Sequence, residues 1–522
     1  MLRMRGCACL LVGAMCIMAS IVGAKHSYAD EAKAEKRPNI VIIYTDDHAY
    51  QAIGAYGQKL LPDQESPTPQ LDRLAREGMT FTNCCVPNSI CGPMRAVVQT
   101  GKYSHKNGFL TNDGKGFDNT QTTFPKLLQK AGYATAIIGK WHLKCDARPG
   151  FDYADVLIGQ GPYFNPPMIQ NGTRVVRQGY TTEIITQLSI DWMERGRDPS
   201  KPFLLMCHHK ATHRNWIPTP KYYDRFKDRE FPLPETFWDD YSGRGTAART
   251  QDMTIARTMN ANDLKLNGPP NGLSEAQKKD WHDMYDSRVR EYQELRERGA
   301  SEKEMTQWKY QCYMRDYLAV AAAVDDSVGE ILDYLEKSGL AENTIVIYSS
   351  DQGFYLGEHG WFDKRFMYEQ SFKTALIARW SGVIASGTKS DAIVSPIDFA
   401  ETFLDVAGAE IPRDMQGASM LPIWRGEVPQ DWRTSFYYHY YEFPAEHSVK
   451  RHEGVYDGRF KLIHFYHDVD EWELYDLQND PNELENIFAK PGMEPVVARM
   501  KAALVEQKKE LGAPENPMDQ KL

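Results

Sequence analysis

Residues 40–47 read Ile-Val-Ile-Ile-Tyr-Thr-Asp-Asp, an unbroken apolar run that stops in two carboxylates. A run of this length, rich in β-branched residues and without polar alternation, has the pattern of a strand covered on both faces, as in a parallel sheet. Three other runs also end in chemistry: Ala134 to Ile138 leads to Lys140 and His142, Phe203 to Cys207 to His208, His209 and His213, and Ile345 to Tyr348 to Asp351 and Gln352. Helical patterns lie between them. From Tyr317 to Lys337, Val320, Val324, Val328, Ile331 and Leu335 recur at helical spacing before a stop at Gly339. The alternation specifies an α/β fold with a large, mostly parallel sheet flanked by helices. In such sheets ligands bind beyond the carboxyl ends of the strands, so the four polar clusters are expected to share one site.

Outward from this sheet, the chain divides by composition. Residues 1–29 have the pattern of a secretory signal: Arg3 and Arg5 precede the apolar or small stretch Cys7 to Gly23, and Ser27-Tyr28-Ala29 offers a cleavage site, with Val22-Gly23-Ala24 as a second. The apolar run is short for a membrane anchor, so a periplasmic or extracellular protein with no stable membrane anchor is expected. Residues 38–430 read as the α/β domain, with the highly charged stretch 222–310 as an insertion or partial lid. Residues 431–522 read as a smaller antiparallel sheet, with strands at 436–441, 454–456, 460–465 and 473–477, plus one helix from about 494 to 511. Loss of the signal takes Arg3, Arg5 and Lys25 and no acids, so 61 basic residues fall to 58 against 71 acidic ones and the formal charge moves from −10 to −13. Such a balance argues against nucleic acid as a partner, and an anionic substrate would need a local cluster of cations. The six cysteines beyond the signal, at 84, 85, 91, 145, 207 and 312, include no Cys-x-x-Cys pair, and their spacing assigns no disulfide.

Asp46, Asp47, Asp351 and Gln352 offer only oxygen donors and bring three negative charges to one centre. Crowded carboxylates repel unless a cation joins them, and hard oxygen ligands suit calcium or magnesium better than zinc. Read alone, Asp46-Asp47 could equally be a capping or solvated pair. Cys91-Gly92-Pro93-Met94-Arg95, with Thr100-Gly101 beyond, could in the same way be a plain helix start, with Pro93 in its first turn.

Taken together, these segments resemble the type I, formylglycine-dependent sulfatases of the alkaline phosphatase superfamily. The Cys91 run is similar to the Cys-x-Pro-x-Arg signature with its trailing Thr-Gly, and Thr45 to Asp47, Gly139 to His142, His209 to His213 and Asp351 to Gly353 follow the family's order and separations. Met94 replaces the small residue, usually serine, of that signature. The resemblance implies an alkaline-phosphatase-like fold and a sulfuric ester hydrolase. It implies that Cys91 is oxidised by a formylglycine-generating or radical maturase to 3-oxoalanine, whose hydrate attacks sulfur, and that Ca2+ is held by Asp46, Asp47, Asp351, Gln352 and the modified residue 91. By the same resemblance Arg95, Lys140 and Lys364 would clamp the sulfate, His213 would protonate the leaving alcohol and His142 would take a proton from the second hydroxyl. His208 and His209 have less defined roles.

Among such enzymes the chain is most similar to bacterial carbohydrate exo-sulfatases, which implies a sulfated glycan as substrate, with 6-O-sulfated N-acetylglucosamine as the first expectation. A sulfatase for another sugar such as galactose, a phosphodiesterase or phosphonate hydrolase of the same superfamily, and an inactive glycan-binding protein are the alternatives. The basic cluster His447, Lys450, Arg451 and His452 is expected either to fold over the site and bind sugar hydroxyls or to form a solvated loop.

Overall fold

The opening run forms strand β1 (Asn39–Thr45), buried at every position, in a computed structural model that describes residues 37–61 and 65–520. The expected secretory signal and most of the charged lead-in lie outside the described residues. The described residues form one compact unit. The large sheet continues with β2 (Met79–Phe81), β3 (Ala134–Gly139), β4 (Tyr153–Leu157), β5 (Pro167–Gln170), β6 (Thr173–Val176), β7 (Phe203–His208) and β8 (Thr344–Ser350). After a two-stranded hairpin of β9 (Tyr355–Leu356) and β10 (Phe362–Asp363), β11 (Leu376–Arg379) and β12 (Thr388–Ser390) complete it.

Ten strands lie in the order β12-β2-β11-β8-β1-β7-β3-β4-β5-β6. Its centre, β8-β1-β7-β3-β4, is parallel throughout, whereas β11 pairs antiparallel with β8 and β2, and β5 pairs antiparallel with both β4 and β6. The sheet is therefore mixed, with a parallel core. Because the four strands that end in chemistry are parallel neighbours, their carboxyl ends open on the same edge.

Both faces of that core are covered, as the unbroken apolar runs require. Val41 and Ile43 pack on one side with Tyr317, Val320, Val324 and Val328, while Ile40, Ile42 and Tyr44 pack on the other with Met94, Val97 and Val98. The second group lies on helix α1 (Cys91–Thr100), whose ten residues are all buried. Helix α2 (Glu275–Glu297) begins at a capping box of Ser274 with Gln277, and α3 (Glu302–Lys337) at one of Ser301 with Glu304. The periodicity at 317–337 thus marks only part of a longer helix: its first nine residues, 302–310, lie in the 222–310 stretch, and burial already begins with Thr306 and Tyr310. That stretch is anchored by buried charges: Arg288 reaches Asp316 at 2.6 and 3.0 Å, and Lys265 reaches it at 2.9 Å.

The C-terminal sheet is antiparallel in the order β13 (Phe436–Tyr440), β14 (His452–Tyr456), β15 (Phe460–Phe465) and β16 (Glu471–Asp476). Helix α4 (Glu494–Leu511) buries Met500 and Leu504. No described helix is long and apolar enough to cross a membrane.

Candidate active site

Three buried carboxylates, Asp46 and Asp47 after β1 and Asp351 after β8, offer ligand atoms within 4.8 Å of one another. Each is matched by a different cation. Lys140, just beyond β3, pairs with Asp46; Lys364 Nζ lies 2.7 Å from both oxygens of Asp47; Arg95 Nη2 lies 3.0 Å from Asp351 Oδ2. Each carboxylate thus has a cationic partner before any ligand arrives, although burial holds Lys140 well below the ordinary lysine range. Its oxygens are not all used: Asp46 Oδ1 and Gln352 Oε1 are buried without a hydrogen-bond partner. Burial pushes Asp47 up to about 6 even beside Lys364. Unused oxygens from carboxylates and a side-chain amide fit a hard cation such as calcium, and no nitrogen or sulfur ligand of the zinc type joins the three carboxylates among the described residues.

Cys91 is the first residue of α1 and is buried against this centre. Asn112 Nδ2 donates toward its Sγ at 3.5 Å, and Gln160 Nε2 approaches to 4.0 Å. Asn112 also serves the helix, its Oδ1 accepting from Gly92 N at 3.0 Å in place of the cap that Ile90 lacks. A Cβ on residue 92 would stand 2.6 Å from that Oδ1, so glycine is what lets the amide approach. Met94 is fully buried in the core cluster with Ile40, Ile42 and Tyr44.

Arg95 is fixed by a fork of contacts: Nη1 donates to Lys140 O at 3.1 Å and lies 3.2 Å from His208 Nδ1, while Nη2 reaches Asp351. His208, tilted against Tyr44, thus orients Arg95. His209 turns away to Ser327 Oγ at 2.9 Å. His213 Nδ1 donates to Arg214 O at 2.7 Å, which leaves Nε2 facing Asp47 Oδ2 at 3.9 Å. Burial, then Lys140, Lys364 and Lys210, hold His213 well below the ordinary histidine range. His142, in a left-handed backbone at φ 56°, lies with Nε2 3.2 Å from the Gln160 amide; burial pushes it down to about 2. Both imidazoles are neutral in the free protein.

Of the four basic residues in the 447–452 segment, the structure brings only His447 to the rim. His447 Nε2 stands 3.2 Å from Asp363 Oδ2, beside Lys364, and 3.4 Å from Arg214 Nη1. The other three correct the expectation of a sugar-binding cluster. Lys450 pairs with Asp468 and lies over Phe443, Arg451 Nη2 donates to Phe443 O at 2.6 Å, and His452 is buried in β14 with Nε2 accepting from Met367 N at 3.1 Å. The solvated-loop alternative also fails, since His447, Lys450 and His452 are all buried. Charge density in the sequence marks tertiary ties here, because long basic side chains can bury their stems while their heads find partners. Asn112, Gln160, Lys210, Asp363 and Arg365 join the site without having stood out as site residues in the sequence. Only Lys210 carries a local signal, inside the polar run that follows β7.

A family model described as "Sulfatase" matches residues 38–409, and one described as "N-sulphoglucosamine sulphohydrolase, C-terminal" matches residues 357–510. The chain belongs to the sulfatase family. This sulfatase is 50% identical over 486 residues to an N-acetylglucosamine-6-O-sulfatase of Bacteroides thetaiotaomicron, covering 89% of this chain and 85% of that one. It superposes on the solved structure of BT4656 in complex with its substrate D-glucosamine-2-N,6-O-disulfate with a TM-score of 0.89 at 46% identity, over 93% of this chain and 100% of the other. A phosphonate monoester hydrolase of Agrobacterium radiobacter shares the fold at a TM-score of 0.67 and 20% identity, over 91% and 96% of the two chains. The protein is a sulfuric ester hydrolase with an alkaline-phosphatase-like fold.

Proposed function

We propose that this sulfatase removes the 6-O-sulfate from glucosamine units of a glycan, as an exported enzyme with Ca2+ at Asp46, Asp47, Asp351 and Gln352 and a formylglycine made from Cys91 by a maturase. The observation that supports it most is the 50% identity, along almost the whole chain, to an N-acetylglucosamine-6-O-sulfatase. Residues 38–430 would form the catalytic domain and 431–522 the supporting subdomain, with 222–310 as an insertion packed on the first.

Formylglycine would supply, as its hydrate, a geminal pair of hydroxyls that no encoded side chain provides, and a divalent cation would add positive charge beside the paired carboxylates. The rest falls to the chain. Arg95, Lys140 and Lys364 are held by carboxylates, so their charges are already oriented when an anionic sulfate arrives and little reorganisation is needed. His213, with Nδ1 held by a carbonyl, turns Nε2 toward the leaving oxygen. It can act as acid only after gaining a proton, and the incoming anion together with Asp47 supplies the negative charge that favours it. His142 is neutral beside residue 91 and would take a proton there once a bound anion offsets the burial and the cations that hold it down. Asp363, Arg365 and His447 form a charged rim next to Lys364, suited to sugar hydroxyls.

Matured protein incubated with a panel of sulfated monosaccharides tests the reading. Sulfate should be released from N-acetylglucosamine 6-sulfate. Release solely from galactose 4-sulfate, or turnover of a phosphodiester in its place, would reject it.

A further inference from the structure

Eight lysines are buried among the described residues: 102, 140, 210, 265, 364, 450, 461 and 508. Seven have a carboxylate within 4 Å. Lys210 is the exception. It is 5% exposed, and its Nζ has a 3.5 Å approach to Arg214 O and the face of Tyr163 at 4.9 Å, with no carboxylate within 4 Å. A buried ammonium without a counter-charge is costly, and a protein retains one where a ligand supplies the missing anion.

The lysine's place in the fold says which ligand. His213 N donates to Lys210 O at 3.0 Å, so the two residues close one turn after β7, and Tyr163 OH holds the same turn through His213 O. Lys210 therefore sits with the residue that faces the leaving oxygen. Arg95, Lys140 and Lys364 are each tied to a carboxylate of the metal set and Arg365 to Asp363, which leaves Lys210 as the positive charge without a carboxylate partner. Burial pushes its pKa down to about 8, opposed by Asp47, so an arriving anion would find it charged at neutral pH and hold it so.

We infer that Lys210 is a substrate-binding residue of this sulfatase that pairs with a sulfate oxyanion of the sugar, and so favours substrates carrying anionic charge at this point. The inference rests on the glucosamine-sulfate reading above. The oxyanion could belong to a second sulfate, such as one on the 2-amino group, or to the reacting 6-sulfate, and the two are separable.

The test is calorimetric binding to Cys91→Ala protein, which cannot turn over, with D-glucosamine-2-N,6-O-disulfate and N-acetylglucosamine 6-sulfate as probes. Adding Lys210→Met should weaken binding of the disulfate at least about tenfold, the range of a charge-assisted hydrogen bond. Loss confined to the disulfate identifies the 2-sulfate as partner; equal loss on both identifies the 6-sulfate. Lys210→Arg, which keeps the charge, should retain most of the affinity, and the comparison of Arg with Gln at 210 serves if the Met variant folds poorly. Unchanged binding of both sugars by Lys210→Met overturns the inference while sparing the substrate reading. Failure of Cys91→Ala protein to bind either sugar overturns both.

Discussion

Replacing Asp351 by Asn removes one of three charges from the centre and takes from Arg95 its 3.0 Å partner, while the isosteric amide can still accept from Asp47 N at 3.1 Å. Arg95 keeps Lys140 O, His208 and a 3.9 Å approach to Asp46, so its charge is weakened rather than abandoned. Breaking a buried ion pair costs about 3–5 kcal/mol, and the remaining contacts place this case near the lower end. Unfolding entropy of about 2.1 cal/mol/K per residue gives a unit the size of residues 37–522 about 1 kcal/mol per kelvin, so the melting temperature should fall by about 3 K. The second effect is on metal linkage. Calcium at a hundred times its Kd should stabilise the native protein by about 2.7 kcal/mol, again about 3 K, and Asp351→Asn should lose most of that increment. Thermal melts of both proteins with chelator and with calcium measure the two effects together, and sulfate release should fail in chelator and return with calcium better than with zinc. A native melt indifferent to chelator and calcium, or a calcium increment equal in the two proteins, would refute the assignment of these oxygens to a cation.

His213→Ala should lower kcat by about 10²–10⁴-fold with little change in melting temperature, and an aryl sulfate with a good leaving group should lose much less than the sugar ester. Gly92→Ala forces a Cβ against Asn112 and Phe109, at 2.6 and 2.8 Å, and should cost about 1–3 kcal/mol together with sulfatase activity, read by melting and turnover. Glu401 is buried with Oε2 unpartnered, and burial followed by the charge of Asp398 pushes it up to about 8 from 4.5. The native state therefore holds a proton there that the unfolded chain releases, so stability is full below about pH 4.5 and falls as pH rises toward 8. Glu401→Gln should flatten that part of a urea-midpoint profile measured from pH 5 to 8.5.

The parallel core and its polar strand ends are legible in the sequence because a strand buried on both faces has to be apolar along its whole length, which Ile40 to Tyr44 and Ile345 to Tyr348 satisfy. Strands of three or four residues next to the sheet's edges, such as β2 and β5, carry too few residues for any period, and the direction of β2 against β11 is set by a partner far away in sequence. The first turns of α3 are hidden for another reason. Glu302, Lys303 and Glu304 are exposed, Gln307, Trp308 and Lys309 are half-buried, and the capping box at Ser301 is the clearest local mark. In the site, residues on strand ends can be grouped from the sequence alone, whereas Asn112 and Gln160 reach Cys91 from loops whose paths no local pattern encodes. His452 shows the opposite failure: a basic residue in a basic stretch, yet inside a sheet and satisfied by Met367 N.

The central claim is that Cys91, at the head of its helix and against three paired carboxylates, is the point of reaction. Peptide mass spectrometry of residue 91 in protein that releases sulfate from N-acetylglucosamine 6-sulfate tests it most directly. The expected result is the mass of a formylglycine in place of cysteine, reactivity of that peptide toward a hydrazide probe, and no turnover from a folded Cys91→Ala variant. Full activity from protein whose Cys91 is wholly unmodified would contradict it.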